Sequence, residues 1–167
     1  LAIRVYVGKT DLDGHVLHVT TAEEMELLAS HRNTASVEVS PQHLTLVAPK
    51  CYERLGTLAQ MNPPLRDAPH RAALWAAVRS RVVDVVGSDH APHTLEEKAV
   101  PYPGSPSGMP GVQTLLPLLL NHVHAGRLSL GMAHLSHYFT PFQTFVIAQS
   151  EEDRSRFNQR TAFEVLQ

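Results

Sequence analysis

Residues 81–93 read RVVDVVGSDHAPH, and this stretch decides how the rest of the chain is interpreted. Its first part, 81–86, is rich in β-branched residues and predicts a buried strand. Glycine, aspartate and proline then follow within 87–92, which is typical of a loop that leaves a strand end. Barrel enzymes of the α/β class place their catalytic groups in such loops. Asp89 and His93 are therefore candidate catalytic or binding residues, although an isolated Asp–His pair more often belongs to a solvated turn.

Four further motifs flank this stretch. They read HVLHVTTAEE at 15–24, VEVSPQHL at 37–44, MNPPLR at 61–66 and SGMPGVQT at 107–114. Together with SDHAPH at 88–93, they resemble the C-terminal half of the catalytic barrel of a bacterial-type dihydroorotase, a cyclic amidohydrolase of pyrimidine synthesis. The resemblance covers roughly residues 14–130. It is specific because five motifs occur in the same order and at the same intervals.

The length of the chain limits how much of such a barrel it contains. It has 167 residues, whereas a complete (β/α)₈ barrel typically needs about 250. The resemblance therefore implies an α/β fold over 1–130 that is part of a (β/α)₈ TIM-like amidohydrolase barrel, about its last three strands. The remainder, 131–167, is unassigned and is expected to be a helical tail, because its charged stretch SEEDRSRFNQR at 150–160 is typical of a solvated helix.

The composition is that of an ordinary globular protein. The formal net charge is −2 and 43% of the residues are hydrophobic, which indicates neither a nucleic-acid nor a membrane partner. No apolar run approaches the ~20 residues of a membrane span. Cys51 is the only cysteine, so that no intramolecular disulfide can form, and this favours the reducing cytoplasm.

Local patterns place the other elements. Strands are predicted at 15–19 and 36–40, and helices at 21–31, 69–81 and 112–125. Two capping boxes, Thr21-Ala-Glu-Glu24 and Thr94-Leu-Glu-Glu97, mark helix starts. Trp75 lies on the apolar face of the helix at 69–81 and is predicted to belong to the core.

His18 falls at the C-terminal tip of a predicted strand, where barrel enzymes collect ligands, whereas His15 is predicted to point to the opposite face. Without further context, a histidine at a strand end is as often a structural polar residue as a metal ligand. The resemblance implies that His18 and Asp89 are ligands of zinc, of which the complete family site holds one or two ions. The other family ligands would precede Leu1, and catalytic zinc normally has three protein ligands.

The resemblance also implies a substrate-binding set, namely Asn62, His93, Pro110 and Gly111. Two prolines follow Asn62 and stiffen its backbone, so that its carboxamide offers a donor and an acceptor at a fixed angle. Gly111 permits a close approach of backbone to ligand at the start of a predicted helix. Arg66 fits a substrate carboxylate and a solvated surface charge equally well.

Several other histidines have simpler interpretations. At 41–43 relatives often carry two adjacent histidines, whereas this chain has a glutamine first, and His43 is predicted to be a structural hydrogen-bonding residue. The only His-x-His, at 122–124, falls in a predicted helix, where residues two apart diverge by about 200° and cannot form a metal-binding pair. His134 and His137 have helical spacing and are predicted to be solvated.

The activity implied by the resemblance is metal-dependent, reversible hydrolysis of dihydroorotate to N-carbamoyl-aspartate, with Asp89 as the catalytic residue that takes and returns a proton. Two alternatives remain. One is a catalytically silent dihydroorotase-like scaffold that binds a partner, and the other is a hydantoinase- or allantoinase-type enzyme. Because the barrel is partial, the strand edges at 15–19 and 82–87 are expected to be covered by self-association or by a complementary chain.

Overall fold

The computed structural model of the protein describes residues 14–129, together with the backbone of two later strands. One sheet contains five strands in the order β1-β2-β3-β5-β4. Their bounds are Gly14–Val16 for β1, Ala35–Val39 for β2, Val85–Gly87 for β3, Leu135–Tyr138 for β4 and Thr144–Ile147 for β5. β1, β2 and β3 are parallel, whereas β5 is antiparallel to both β3 and β4. The predicted α/β class with parallel strands is confirmed.

Helices connect the parallel strands β1, β2 and β3, and two more follow β3. They are α1 (Ala22–Ala29), α2 (Pro41–Thr45), α3 (Lys50–Leu55), a 3₁₀ helix (Gly56–Ala59), α4 (Ala68–Arg79), α5 (Leu95–Lys98) and α6 (Val112–His124). In the part of the chain that the structure describes, no helix is both long and apolar enough to span a bilayer.

Both predicted capping boxes are confirmed. At the start of α1, the Glu24 amide donates to the Thr21 hydroxyl at 3.2 Å, and the Glu24 carboxylate accepts from the Thr21 amide at 2.9 Å. Thr94 and Glu97 form the same reciprocal pair at α5, with distances of 3.2 and 2.9 Å. Each box satisfies amides that the first turn of a helix leaves without partners, which explains why the helices begin at these residues.

A hydrophobic core lies between the sheet and the helices α1, α4 and α6. Its most buried members are Val19, Leu28, Val37, Val39, Leu44, Leu74, Val78, Val83, Val86, Leu115 and Leu119. Trp75 belongs to this core, as predicted, and its indole nitrogen donates to the Leu44 carbonyl at 2.9 Å. The hydrogen bond satisfies the polar atom of an otherwise apolar side chain.

β3 begins later than the strand predicted from residue 81. Arg81 has a positive φ of 63°, so the chain turns before the sheet begins. The Asp84 carboxylate then accepts a hydrogen bond from the Val37 amide at 2.7 Å. It also accepts from two nitrogens of Arg32. The Asp84 side chain therefore provides the hydrogen-bond acceptor for a β2 amide at this point. Regular backbone pairing between β2 and β3 starts at Val85.

The region after residue 130 contains strands where a helical tail was predicted. β5 pairs with β3 in the register Val85↔Val146 and Val86↔Phe145. Thr144-Phe-Val-Ile147 is β-branched and aromatic, which favours a strand once β3 offers an edge. The predicted helix is therefore wrong at β4 and β5, and the charged stretch 150–160 lies outside the described residues.

Two further expectations change with this pairing. His137 lies in β4 instead of on a helix, and His134, which was predicted to be solvated like His137, lies outside the described residues. The edge at 82–87 was expected to lack a neighbour, which is wrong because β5 occupies it. The strands that the structure describes form an open mixed sheet, and closure into a barrel is not seen among them.

Candidate active site at the carboxyl ends of the parallel strands

His18 and Asp89 meet just beyond the ends of β1 and β3. The Nε2 atom of His18 lies 3.6 Å from Oδ1 of Asp89. Both residues have a positive φ, 53° and 45°, which is uncommon for residues other than glycine. Such backbone conformations cluster at functional sites. The two side chains that the resemblance implies as ligands of one metal site therefore lie close together.

Glu38 on β2 is the site residue that sequence reasoning missed. Its side chain is buried, although it is a carboxylate on a strand of valines. Oε1 of Glu38 lies 2.9 Å from Nδ1 of His18, and Oε2 lies 3.7 Å from Nε2 of His15. An acidic residue between two valines of a buried strand was the available signal, because a buried carboxylate needs a partner.

The predicted opposite orientation of His15 and His18 is therefore wrong. Strand alternation applies only while the strand continues, and β1 ends at Val16. The positive φ of His18 then turns its side chain towards the same carboxylate that His15 approaches.

Opposite charges stabilise each other in this cluster. Burial lowers the pKa of His18, but the contact with Glu38 and the charge of Asp89 outweigh burial and raise that pKa above its ordinary value. Burial raises the pKa of Glu38, but its contacts with His15 and His18 outweigh burial and lower that pKa below its ordinary value. The two shifts agree, since each group favours the charged form of the other.

The donor set fits part of a metal site. An imidazole nitrogen and a carboxylate oxygen, the zinc ligands of many enzymes, face each other at His18 and Asp89. Nδ1 of His18 and Oε1 of Glu38 are buried and close, yet they are not aligned as a hydrogen bond. A metal at Nε2 would place the proton on Nδ1, where Glu38 can accept it. Among the described residues no group of three ligand-type side chains is arranged around one point, so further ligands would have to come from elsewhere.

Gly111 packs against the residue that precedes Asp89. A Cβ atom at Gly111 would lie 2.1 Å from the Ser88 carbonyl oxygen, so no other residue fits there without movement. The Gly111 amide donates to Nδ1 of His90 at 3.0 Å, and the Gln42 carboxamide donates to the same Ser88 carbonyl at 3.0 Å. The backbone of Gly111 is therefore held against Ser88, the residue that precedes Asp89.

His93 and Asn62 lie farther out. Nε2 of His93 lies 3.2 Å from the Ser107 carbonyl, and its Nδ1 lies 3.6 Å from the Glu97 carboxylate. Asn62 is exposed and borders a cavity of about 540 Å³. The cavity is lined by Tyr52, Gly56, Thr57, Gln60, Met61, Asn62, Pro64, Tyr102 and Ser107, a set that includes neither His18 nor Asp89. Pro110 is exposed and directly precedes Gly111.

Lys98 joins the segments that carry these outer residues. Its ammonium group is buried and donates to the carbonyls of Gln60, Pro106 and Gly108 at 2.9, 2.9 and 3.1 Å. Burial lowers the pKa of this ammonium. Because Gln60 precedes Asn62 by two residues and Gly108 precedes Pro110 by two, Lys98 sets the spacing between two candidate substrate-binding segments. The sequence contained no local signal for this role.

Two histidines behave as predicted. His43 is buried, with Nδ1 2.6 Å from the Ser40 hydroxyl and Nε2 3.0 Å from the Pro63 carbonyl, which confirms a structural role. His122 is buried on α6 and its ring lies 4.7 Å from that of Trp75, whereas His124 is exposed. The divergence of 122 and 124 on a helix is therefore confirmed.

Acidification is expected to destabilise the protein through His43. Burial lowers the pKa of His43 from 6.5 to about 4. Between these values the unfolded chain binds the proton and the folded chain does not, so the free energy of unfolding falls as pH falls through this window, by about 3 kcal/mol. Urea denaturation at several pH values measures this. In a His43→Gln variant the loss should be smaller, and an unchanged pH dependence would show that other groups cause it.

Comparison with known proteins places the chain among amidohydrolases. It is 45% identical over 115 residues to the dihydroorotase of Halobacterium salinarum, an alignment covering 69% of the chain and 26% of that relative. It is 39% identical over 126 residues to the dihydroorotase of Brevibacillus brevis, covering 73% of the chain and 30% of the relative. The chain belongs to the dihydroorotase-like amidohydrolases.

Solved structures agree with this assignment. The dihydroorotase-like chain superposes on the L-hydantoinase (dihydropyrimidinase) from Arthrobacter aurescens with a TM-score of 0.62 and 34% identity, covering 70% of the chain and 27% of that structure. It also shares its fold with the Saccharomyces cerevisiae dihydroorotase in complex with 5-fluoroorotic acid, at a TM-score of 0.58, 19% identity and coverages of 67% and 32%. No protein-family model matches. The chain spans about a quarter to a third of the length of the curated relatives it matches.

Proposed function

We propose that this chain supplies part of the active site of a cyclic amide hydrolase that interconverts dihydroorotate and N-carbamoyl-aspartate. The observation that supports it best is the approach of Nε2 of His18 to the Asp89 carboxylate, 3.6 Å apart, at the carboxyl ends of parallel strands. Barrel enzymes collect their catalytic groups at that end. The curated relatives named dihydroorotases supply the reaction class.

His18 and Asp89 are the residues that would hold zinc. When bound, zinc polarises a carbonyl and lowers the pKa of water. Asp89 accepts the proton of the attacking water and returns it to the ring nitrogen as the amide bond breaks. In the reverse direction, the same carboxylate takes the proton from the nitrogen that closes the ring.

We propose that four residues hold the substrate, namely Asn62, His93, Pro110 and Gly111. Gly111 is best supported, because its backbone packs against Ser88, the residue before Asp89. An amide ring needs both donors and acceptors, and the backbone groups at 110–111 and the carboxamide of Asn62 provide them.

Arg66 favours dihydroorotate over a hydantoin. Its Nε donates to the Thr20 hydroxyl at 3.3 Å, and Thr20 is two residues from His18. A guanidinium in this position can bind a carboxylate, which dihydroorotate carries and the simple hydantoin ring lacks. The hydantoinase alternative remains the second candidate because several similar structures are named hydantoinases.

A chimera tests the function. The matching 115-residue segment of the Halobacterium salinarum dihydroorotase is replaced with residues of this chain, and dihydroorotate hydrolysis is measured. The chimera is expected to turn over dihydroorotate faster than hydantoin. The 167-residue chain alone is expected to show no turnover, since its described residues provide only two of the three ligands that catalytic zinc normally has.

The chimera also separates the alternatives. A folded chimera that hydrolyses hydantoin but not dihydroorotate would favour the hydantoinase. A folded chimera inactive on both substrates would favour the silent scaffold. Turnover by the isolated chain would mean that its site is completed in some other way, for instance across a dimer.

The isolated chain is expected to self-associate or to bind a complementary chain. On the side away from β2, β1 has no partner among the described strands. The helix α6 also exposes three apolar side chains spaced four residues apart. Their exposed fractions are 36% for Val112, 38% for Leu116 and 46% for Leu120. Sedimentation velocity at micromolar concentration should detect dimers or larger species. A compact monomer with a cooperative melting transition would contradict this expectation.

We also propose that the chain divides into a dihydroorotase-like partial barrel at 1–130 and a tail at 131–167. The proposal includes a cytoplasmic location. The single cysteine, Cys51, is buried and unpaired, which is consistent with a reducing compartment.

A further inference from the structure

We propose that Glu38 is a positioning residue that fixes the ring orientation and the tautomer of His18. The inference rests on the proposed function, in which Nε2 of His18 is a metal ligand. It assigns a role to a residue of the motif at 37–44 that had none, on the strand between the two that His18 and Asp89 follow.

The contact distances favour one tautomer, although Nδ1 of His18 and Oε1 of Glu38 are close without being aligned as a hydrogen bond. Oε1 of Glu38 lies 2.9 Å from Nδ1 of His18, so that Nδ1 is the nitrogen beside an acceptor. With its proton on Nδ1, neutral His18 presents the lone pair of Nε2 towards the open side of the site, where Asp89 lies 3.6 Å away. A carboxylate behind a ligand histidine sets its tautomer and its basicity in the same way at many metal sites.

The neighbouring strand makes room for the carboxylate. A Cβ atom at Gly87 would lie 2.4 Å from Cδ and Oε2 of Glu38. Gly87 has no positive φ, so the space occupied by Glu38, and not backbone conformation, accounts for the glycine. This observation is independent of His18, and it shows that the end of β3 accommodates a carboxylate in this position.

A second histidine holds the carboxylate from the other side. Nε2 of His15 lies 3.7 Å from Oε2 of Glu38, and Nδ1 of His15 lies 2.6 Å from the Ser36 hydroxyl. Glu38 is 1% exposed, so water does not compete strongly for its oxygens. The series Ser36–His15–Glu38–His18 therefore runs from the edge of the sheet to the candidate metal ligand.

The test is the tautomer of His18 in the metal-free chain. Imidazole ¹⁵N–¹H correlation spectra are recorded at alkaline pH, where His18 is neutral, and a His18→Gln variant assigns its signals. The wild type is expected to show predominantly the Nδ1–H form. Glu38→Gln is expected to shift His18 towards the Nε2–H form, which free histidine prefers. Glu26→Gln, at an exposed position of α1, serves as the matched control and should change nothing.

A second variant covers the case in which Glu38→Gln does not fold. Gly87→Ala keeps the carboxylate but displaces it, and it should produce the same shift in tautomer. In the chimera, Glu38→Gln is further expected to weaken zinc affinity about 10–100-fold, as measured by competition with a chelator.

The outcomes separate this inference from the proposed function. Predominant Nε2–H His18 in the wild type, or an unchanged tautomer in folded Glu38→Gln, would overturn the role of Glu38 even if the chimera is active. The expected tautomers together with an inactive chimera would retain the role of Glu38 and reject the proposed activity.

Discussion

Asp89→Asn is expected to lower kcat of the chimera for dihydroorotate by about 10²–10⁴-fold, the range that general acid–base catalysis contributes. Asparagine keeps the size of the side chain but cannot accept a proton from water at neutral pH. It also removes the anionic oxygen that lies 3.6 Å from Nε2 of His18. Steady-state kinetics with saturating zinc would measure the loss.

Glu96→Gln provides the control for this variant. Glu96 is exposed on α5, seven residues from Asp89, and the same change from carboxylate to carboxamide should leave kcat within a factor of two or so. Saturating zinc separates loss of the proton acceptor from weaker metal binding. If Asp89→Asn retained most of its kcat with zinc fully bound, Asp89 would not be the proton acceptor.

Asp84→Ala is expected to lower the free energy of unfolding by about 3–5 kcal/mol, a large share of the stability of a small domain. The Asp84 carboxylate is 7% exposed and accepts from the Val37 amide at 2.7 Å. It also binds both terminal nitrogens of Arg32. Alanine leaves that guanidinium without its carboxylate and an amide of β2 without its acceptor. Urea denaturation of the 167-residue chain would measure the loss.

Two variants make this prediction specific. Replacing both partners, as in Arg32→Met with Asp84→Leu, should destabilise less than Asp84→Ala alone, because no charge is then left behind. Glu53→Ala, at an exposed position of α3, should change stability by less than about 0.5 kcal/mol. Equal losses for Asp84→Ala and Glu53→Ala would show that the ion pair contributes nothing.

Local sequence determined much of this fold. The capping boxes at Thr21 and Thr94 begin helices because the groups they satisfy lie within four residues. The strand predicted at 36–40 is found at Ala35–Val39, and the core position of Trp75 follows from helical periodicity. The meeting of His18 and Asp89 was also predictable, because side chains that follow parallel strands lie at the same end of the sheet.

Only the tertiary structure decided which side chains complete the site and which strand covers β3. Glu38 on β2 contacts His18, which follows the adjacent strand β1. Lys98 binds the carbonyls of Gln60 and Gly108, which lie in different segments of the chain. The orientation of His15 depended on where β1 ends, and β5 became a strand because β3 offered it an edge. Each of these features joins residues that are distant in sequence or depends on a backbone turn. Patterns of period two or 3.6 describe only neighbours along one element, so they carry no information about such contacts.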